Sequence, residues 1–282
     1  MSVEKSSEIL IAIDMGWEMG DVMKQYFDQR TLASEQKGDG SPVTEADIFI
    51  SEAVVNAYRS KGRGVVSEEE GRTAQYGDPN AEYLDPIDGT KDFEEGRSRN
   101  PRQSIAAFSL GSVVGGQFIR GVVNLPLLSS PRQYWAELGT GAYRVMERGG
   151  PETKLQVNQG LTEGVILVSE NHHPYIDYIE ARGLRTVRLG GAVFKACAVA
   201  DPSLMETQDS IVLPADEQVI GFLSDSASAH DYAAAAAITH SAGGIACGID
   251  GSPLSLKAGK NGCIFATNDL VGGLLVDAMR AN

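Results

Sequence analysis

The sequence predicts a layered α/β protein, in which helices cover sheets on a shared core. Two observations point there first. The second half alternates short apolar runs with helical patterns, as layered α/β architectures do. The first half opens on a long amphipathic stretch and continues into runs of β-type residues broken by glycine. A third is capacity: 282 residues with 42% hydrophobic content can bury a sizeable core, as one large domain or two lobes.

The elements follow in order. Ile9, Ile13, Trp17, Val22 and Tyr26 keep helical spacing, so a first helix is expected from about Val3 to Gln29. Ser34 to Ser41 is rich in glycine and charge and is expected to be a polar loop. Thr44-Glu45-Ala46-Asp47 forms a capping box that opens a second helix to about Ser60. Gly64 to Ser67 is a short buried strand, and Tyr83-Leu84 leads another into Asp85. From Ser104 to Val123 the pattern is β-like, with turns expected at Gly111 and Gly115-Gly116. Short strands are expected near Tyr134 and over Ala142 to Val145. Gly150-Pro151 marks the best lobe boundary, giving an N-terminal lobe, 1–150, and a C-terminal lobe, 151–282. The second lobe is expected to hold strands Val165–Val168, Thr186–Leu189 and Cys263–Ala266. Helices are expected at Tyr175–Ala181, Ala192–Ala200, Ala229–Ser241 and Leu270–Met279.

Charge narrows the partners. The formal net charge is -14, and an acidic surface repels nucleic-acid polymers and anionic membranes, so neither is expected. Cys197, Cys247 and Cys263 show neither metal-ligand spacing nor a disulfide framework, which fits a reducing cytoplasm. No apolar run approaches the roughly 20 residues of a membrane-spanning helix, and the N-terminal MSVEKSSEIL has no long apolar core of a signal peptide.

Three acidic clusters carry the chemistry: Ser67-Glu68-Glu69-Glu70, Asp85-Pro86-Ile87-Asp88-Gly89-Thr90, and Asp231 near the start of the Ala-rich helix. An apolar strand that ends in two carboxylates is costly unless a cation neutralises them. Hard cations such as Mg²⁺ take oxygen ligands, so Asp85, Asp88 and the Ile87 carbonyl are suitable. Pro86 restricts its own φ and biases Asp85 to an extended conformation. Gly89-Thr90 then lets the backbone turn into a helix whose first N–H groups face an anion. A covalent aspartyl-phosphate route is disfavoured, because Pro86 occupies the position two before Asp88 where its nucleophile belongs.

These residues resemble the inositol monophosphatase superfamily of Mg²⁺-dependent, lithium-sensitive phosphatases. Ser41-Pro42-Val43-Thr44-Glu45-Ala46-Asp47 is similar to its first motif, and Ser67-Glu68-Glu69 to its second. Asp85 to Phe93 resembles its central signature closely. His230-Asp231-Tyr232-Ala233-Ala234, followed by Ala242-Gly243-Gly244, resembles its last. The resemblance implies a layered α-β-α-β-α sandwich, shared with fructose-1,6-bisphosphatase, often assembled as a homodimer. It implies hydrolysis of a phosphate monoester on a small soluble metabolite by a metal-activated water. Glu68, Asp85 and the Ile87 carbonyl would hold one Mg²⁺, and Asp85, Asp88 and Asp231 a second. Glu68 would help hold a third ion. Thr90, hydrogen-bonded to Asp47, would orient the water together with Glu68, with Lys37 near the site. Substrate would contact Asp88, Gly89 and Thr90, and in the second lobe Gly190, Gly191, Ala192 and Lys195.

The sequence departs from the pattern on the substrate side. His230 replaces the tryptophan usual before the last aspartate, and Gly190-Gly191-Ala192 replaces the usual Gly-Ser. The stretch from Pro202 to Ser226 is longer than usual and matches no familiar substrate loop. Inositol phosphate or a similar sugar phosphate stands level with 3′-phosphoadenosine 5′-phosphate as substrate. Histidinol phosphate, fructose 1,6-bisphosphate, and a catalytically weak ligand-binding regulator are the alternatives. Blander roles stand beside these. Asp47 and Asp231 both fit plain helix N-terminal carboxylates, Asp231 with Ser228 as cap. Glu68 to Glu70 fit a solvated turn, Lys195 a solvated helix lysine, and His230 a packed or surface histidine. His172-His173 fits a surface loop, while Arg97, Arg99 and Arg102 form a basic loop that fits an anion.

Overall fold

The computed structural model describes residues 3–29, 33–36, 42–98, 103–170, 173–207 and 217–281. Lys37, Ser41, Arg99, Arg102 and His172, singled out above, lie outside these residues. In chain order the first elements are α1 (Ser7–Asp28), β1 (Ser34–Gln36), β2 (Pro42–Thr44), α2 (Glu45–Arg59), β3 (Val65–Ser67), β4 (Glu82–Asp88) and α3 (Thr90–Gly96). A run of strands follows: β5 (Ala107–Val114), β6 (Gln117–Leu125), β7 (Arg132–Glu137), β8 (Gly141–Val145) and β9 (Glu152–Lys154). Then come β10 (Val165–Val168), α4 (Pro174–Glu180), β11 (Arg185–Arg188), α5 (Ala192–Ala200), β12 (Val219–Ser224), α6 (Ala229–Ser241), β13 (Ile245–Cys247), β14 (Cys263–Ala266) and α7 (Asp269–Arg280).

Five layers result, and side-chain alternation along the strands builds them. The larger sheet has seven strands in sequence order, β3 to β9. Its Leu84, Phe108, Val122 and Trp135 pack with Ile9, Met23, Ile50 and Val54 of α1 and α2. Their neighbours Tyr83, Ala107, Val123 and Tyr134 face the opposite way, toward α5 and α6. The smaller sheet has the order β11-β10-β12-β14-β13. Val165, Leu167 and Phe222 turn inward to α5 and α6. Ile166, Val168, Ile220 and Leu223 turn outward to α4 and α7. The layering is therefore helix, sheet, helix, sheet, helix.

Helix α6 lies between the two sheets, which explains its composition. It is buried on all sides, from Ala233 through Ile238, and an all-round apolar helix is a core helix. The alanines let it come close. A Cβ on Gly121 would lie 2.2 Å from the Ala234 carbonyl oxygen, and one on Gly111 would lie 2.5 Å from the Ala234 nitrogen. The expected turn at Gly111 is thus corrected: Gly111 sits inside β5, and its missing side chain makes room for α6. The turn at Gly115-Gly116 is present, both residues having positive φ between β5 and β6.

Two further expectations change. The polar loop from Ser34 is in part strand, because Ser34–Gln36 pairs antiparallel with Pro42–Thr44. The stretch from Pro202 to Ser226 holds a short 3-10 helix, Pro202–Thr207, and then β12, the central strand of the smaller sheet. No helix among the described residues is long and apolar enough to cross a membrane.

Candidate active site

The acidic clusters meet at one end of α6. Strand β4 carries Asp85 and Asp88 on a fully buried run. Its pairing with β5 slips between them, which is where Pro86 lacks an N–H to give. Gly89 follows with φ 81° and turns the chain into α3. Glu68 is brought alongside by β3, its N–H donating to the Leu84 carbonyl at 3.0 Å. Asp231 arrives on the first turn of α6.

Both blander roles hold together with the sharper ones. Asp47 Oδ2 accepts from the Thr44 N–H at 2.8 Å and from the Thr44 hydroxyl, closing a capping box. Its other oxygen, Oδ1, lies 3.2 Å from the Thr90 hydroxyl, which also lies 3.1 Å from the Ile87 carbonyl. One aspartate therefore caps α2 and tethers Thr90. Asp231 Oδ2 accepts from the Ser228 N–H at 2.7 Å in a second capping box, which leaves Oδ1 facing the cluster.

Two sets of side chains among the described residues bring ligand atoms within 4.8 Å of one another: Glu68, Asp85 and His230, and Asp85, Asp88 and Asp231. Ligands on one Mg²⁺ at 2.0–2.1 Å can stand no more than about 4.2 Å apart, so both groups need only small closure. Asp85 belongs to both, and its Oδ1 is buried with no hydrogen-bond partner. A buried, unsatisfied carboxylate oxygen among other carboxylates is the arrangement a hard cation resolves, so the donor set fits Mg²⁺.

Electrostatics tell the same story. Burial, then the nearby Glu68, Asp88 and Asp231 charges, push Asp85 well above the usual carboxylate range. Burial, then Asp231, raise Asp88 to about 7, against the pull of the Val193 and Ala192 amides. Burial raises Asp47 to about 6. For Asp231 burial works upward, but the neighbouring His230 ring and the His230 and Ser228 hydrogen bonds outweigh it, so Asp231 stays low. Without a cation the cluster retains protons; a cation would displace them.

The second lobe closes over this group. Ala192 N–H donates to Asp88 Oδ1 at 3.0 Å and Val193 N–H to Oδ2 at 2.9 Å, so the first amides of α5 are taken by Asp88. Gly190 and Gly191 permit that approach: a Cβ on Gly190 would lie 2.1 Å from Asp92 Oδ2, and Gly191 has φ 53°. Lys195 is buried, not solvated. Its Nζ donates to the Leu189 carbonyl at 2.7 Å and sits 5.1 Å from the centre of the Phe222 ring. Burial pulls it down to about 8, against the Asp88 charge. Lys195, Gly190 and Ala192 line a cleft of about 260 Å³ with Ser169, Glu170, Ser224, Ser226 and Asp231.

Four side chains add to or differ from the sequence reading. His230 is packed and not on the surface: it is 8% exposed and stands among the carboxylates, with Nε2 3.1 Å from Asp231 Oδ1. Tyr76, which the sequence reading passed over, has its hydroxyl 2.6 Å from His230 Nδ1. Arg97 is not turned to an anion; it donates to the Phe27 and Gln29 carbonyls at the end of α1. His173 is half-buried and pairs with Asp225 at 2.9 Å.

Comparison with known proteins agrees with this geometry. Curated relatives include a histidinol-phosphatase of Chlorobaculum parvum, 30% identical over 48% of this chain and 50% of that protein. Another is a probable 3′(2′),5′-bisphosphate nucleotidase of Arabidopsis thaliana, 28% identical over 68% of this chain and 56% of that protein. The chain thus spans about half the length of these two relatives. Among solved structures, the extragenic suppressor protein suhB of Bartonella henselae superposes with a TM-score of 0.73, covering 98% of this chain and 99% of that one, at 21% identity. The family model described as inositol monophosphatase family matches residues 4–280. With the five-layer fold and the meeting of Asp47, Glu68, Asp85, Asp88 and Asp231 near the start of α6, this chain belongs to the inositol monophosphatase family.

Proposed function

We propose that this chain is a Mg²⁺-dependent phosphoric monoester hydrolase acting on a small phosphorylated metabolite. The observation that carries the proposal is Asp85 Oδ1, buried and unsatisfied between two groups of ligand atoms. In this reading Glu68, Asp85 and the Ile87 carbonyl hold one cation, and Asp85, Asp88 and Asp231 another, with Glu68 available to a third. Bound Mg²⁺ supplies charge neutralisation for the phosphate and a lowered pKa for water.

The chain's own residues do the rest. Thr90, fixed by Asp47, and Glu68 orient the attacking water toward phosphorus. Gly89 and Thr90 carry the phosphate at the end of β4. The leaving group then points into the cleft lined by Gly190, Ala192, Lys195 and Ser224. Catalysis by positioning and electrostatics needs no protein nucleophile, and Pro86 stands where a nucleophilic aspartate would be required.

The likeness to a histidinol-phosphatase and to a bisphosphate nucleotidase supports a phosphate monoester without fixing which one. A regulator that only binds its ligand is disfavoured by the intact ligand groups. Lithium sensitivity and a homodimer belong to the same reading through the family likeness, a cytoplasmic setting through the cysteine usage, and the lobe division at 150/151 through the Gly150-Pro151 pair. The test is phosphate release from inositol phosphate, bisphosphate nucleotide, fructose bisphosphate and histidinol phosphate, each with and without Mg²⁺. Release from one or more, only with the cation, supports the proposal; no release from any would reject the enzyme reading.

A further inference from the structure

His230 occupies a position that no part of the proposed mechanism uses. The Tyr76 hydroxyl fixes its Nδ1 at 2.6 Å, so the edge turned to the carboxylates is Nε2, 3.1 Å from Asp231 Oδ1. Its ring lies within ligand distance of Glu68 and Asp85, the three ligand atoms being within 4.8 Å of one another. Asp85 Oδ1, at the junction of the two groups, is buried without a hydrogen-bond partner. The ring centroids of Tyr76 and His230 are 5.9 Å apart, which holds the imidazole plane in place.

Ligand chemistry then separates the two groups. Asp85, Asp88 and Asp231 offer only oxygen, which suits Mg²⁺. Glu68, Asp85 and His230 offer two carboxylates and an imidazole, a set that suits borderline ions such as Mn²⁺ or Zn²⁺ better. Metal-bound histidines usually give their second ring N–H to an oxygen partner, which fixes tautomer and orientation. The Tyr76 oxygen stands where that partner belongs.

We propose that His230 Nε2 is a protein ligand of the Glu68–Asp85 cation site, and that this site prefers Mn²⁺ or a similar transition ion over Mg²⁺. The inference rests on the cation reading of the acidic cluster and adds to it a nitrogen ligand. In the loaded protein Nε2 would give up its proton to solvent, together with its hydrogen bond to Asp231, and offer its lone pair to the cation, while Nδ1–H donates to the Tyr76 oxygen. Asp231 Oδ1 is thereby released to the neighbouring all-oxygen group.

The experiment is electron spin-echo modulation of the chelator-treated wild-type protein loaded with Mn²⁺, with free Mn²⁺ titrated by its own resonance. The expected result is modulation from a directly bound imidazole ¹⁴N, replaced by ¹⁵N modulation when histidine is ¹⁵N-labelled. In His230→Phe the modulation should vanish and Mn²⁺ affinity should fall roughly tenfold or more, with Mg²⁺ affinity changed much less. The wild-type spectrum needs no variant, so misfolding of His230→Phe does not blunt the test. Tight Mn²⁺ binding without nitrogen modulation, or modulation that persists in a folded His230→Phe, overturns the His230 inference alone. Absence of any Mn²⁺ or Mg²⁺ binding overturns it together with the cation reading.

Discussion

Replacing Asp88 by asparagine should make the cation-free protein more stable at pH 8 and leave its stability nearly unchanged at pH 5. Burial and the Asp231 charge raise Asp88 from 3.8 to about 7. A carboxyl with a raised folded-state pKa stabilises the fold while protonated. That contribution is whole below the unfolded value and is lost as pH rises through about 7. The full shift corresponds to about 4 kcal/mol at pH 8. Asparagine never ionises, so it escapes this cost. It has only one acceptor, however, and Asp88 uses both oxygens, toward Ala192 and Val193. One amide would face an NH₂ group, at a cost of about 1–3 kcal/mol. The net is a gain of about 1–3 kcal/mol at pH 8; at pH 5 the unfolded carboxyl is already ionised, asparagine escapes only about 1.6 kcal/mol, and gain and loss cancel to within about 1 kcal/mol. At roughly 2 °C per kcal/mol for a chain of this length, the thermal midpoint rises by about 2–6 °C at pH 8 and stays within about 2–3 °C at pH 5. Scanning fluorimetry in chelator at both pH values measures it. Adding Mg²⁺ at about 100 times its dissociation constant should stabilise the wild type by about 2.7 kcal/mol and the variant far less. Equal destabilisation at both pH values, or equal Mg²⁺ stabilisation of both proteins, would refute the reasoning.

Other substitutions test other parts of the account. Thr90→Ala should lower kcat by about tenfold or more with little change in KM, because a water-orienting hydroxyl acts in the transition state; a pure KM effect would assign Thr90 to substrate binding. Lys195→Ala should weaken a bisphosphate substrate by about 1–3 kcal/mol in kcat/KM and leave a monophosphate nearly unchanged; equal losses on both would remove Lys195 as a contact to a second phosphate. Gly121→Val should drive a side chain into the Ala234 carbonyl and cost about 3 kcal/mol or more of stability; an unchanged thermal midpoint would contradict the tight seating of α6. Ca²⁺ should fail to support phosphate release or should inhibit it, since it is larger and looser in geometry than Mg²⁺; turnover with Ca²⁺ equal to that with Mg²⁺ would contradict an octahedral site.

Where chemistry is local, the sequence is legible. Asp85, Pro86, Asp88 and Gly89 sit within five positions, and each residue type restricts the backbone that holds the next. The turn at Gly89 into α3 is found as expected, with positive φ, and the pairing of β4 with β5 shifts register around Pro86. The capping boxes at Thr44 and Ser228 follow from the same kind of short-range logic. What is missed depends on distant partners. Strand β12, with the sequence VIGFLS, is buried on both faces and so shows no alternation, and Gly221 interrupts its apolar run. Gly111 has the composition of a turn, and only α6 on the far side of β5 gives it another purpose. His230 carries no local sign of its surroundings, because Glu68, Tyr76 and Asp85 reach it from more than 140 positions away. A signal did exist: an imidazole one residue before an expected ligand, where the family pattern has an indole.

The central claim is that the carboxylates around Asp85 exist to hold cations for phosphate hydrolysis. Phosphate release by the wild-type protein, stripped with chelator and then given back Mg²⁺, tests it most directly. The account predicts no release after stripping and full return on adding Mg²⁺; undiminished release in chelator would contradict it.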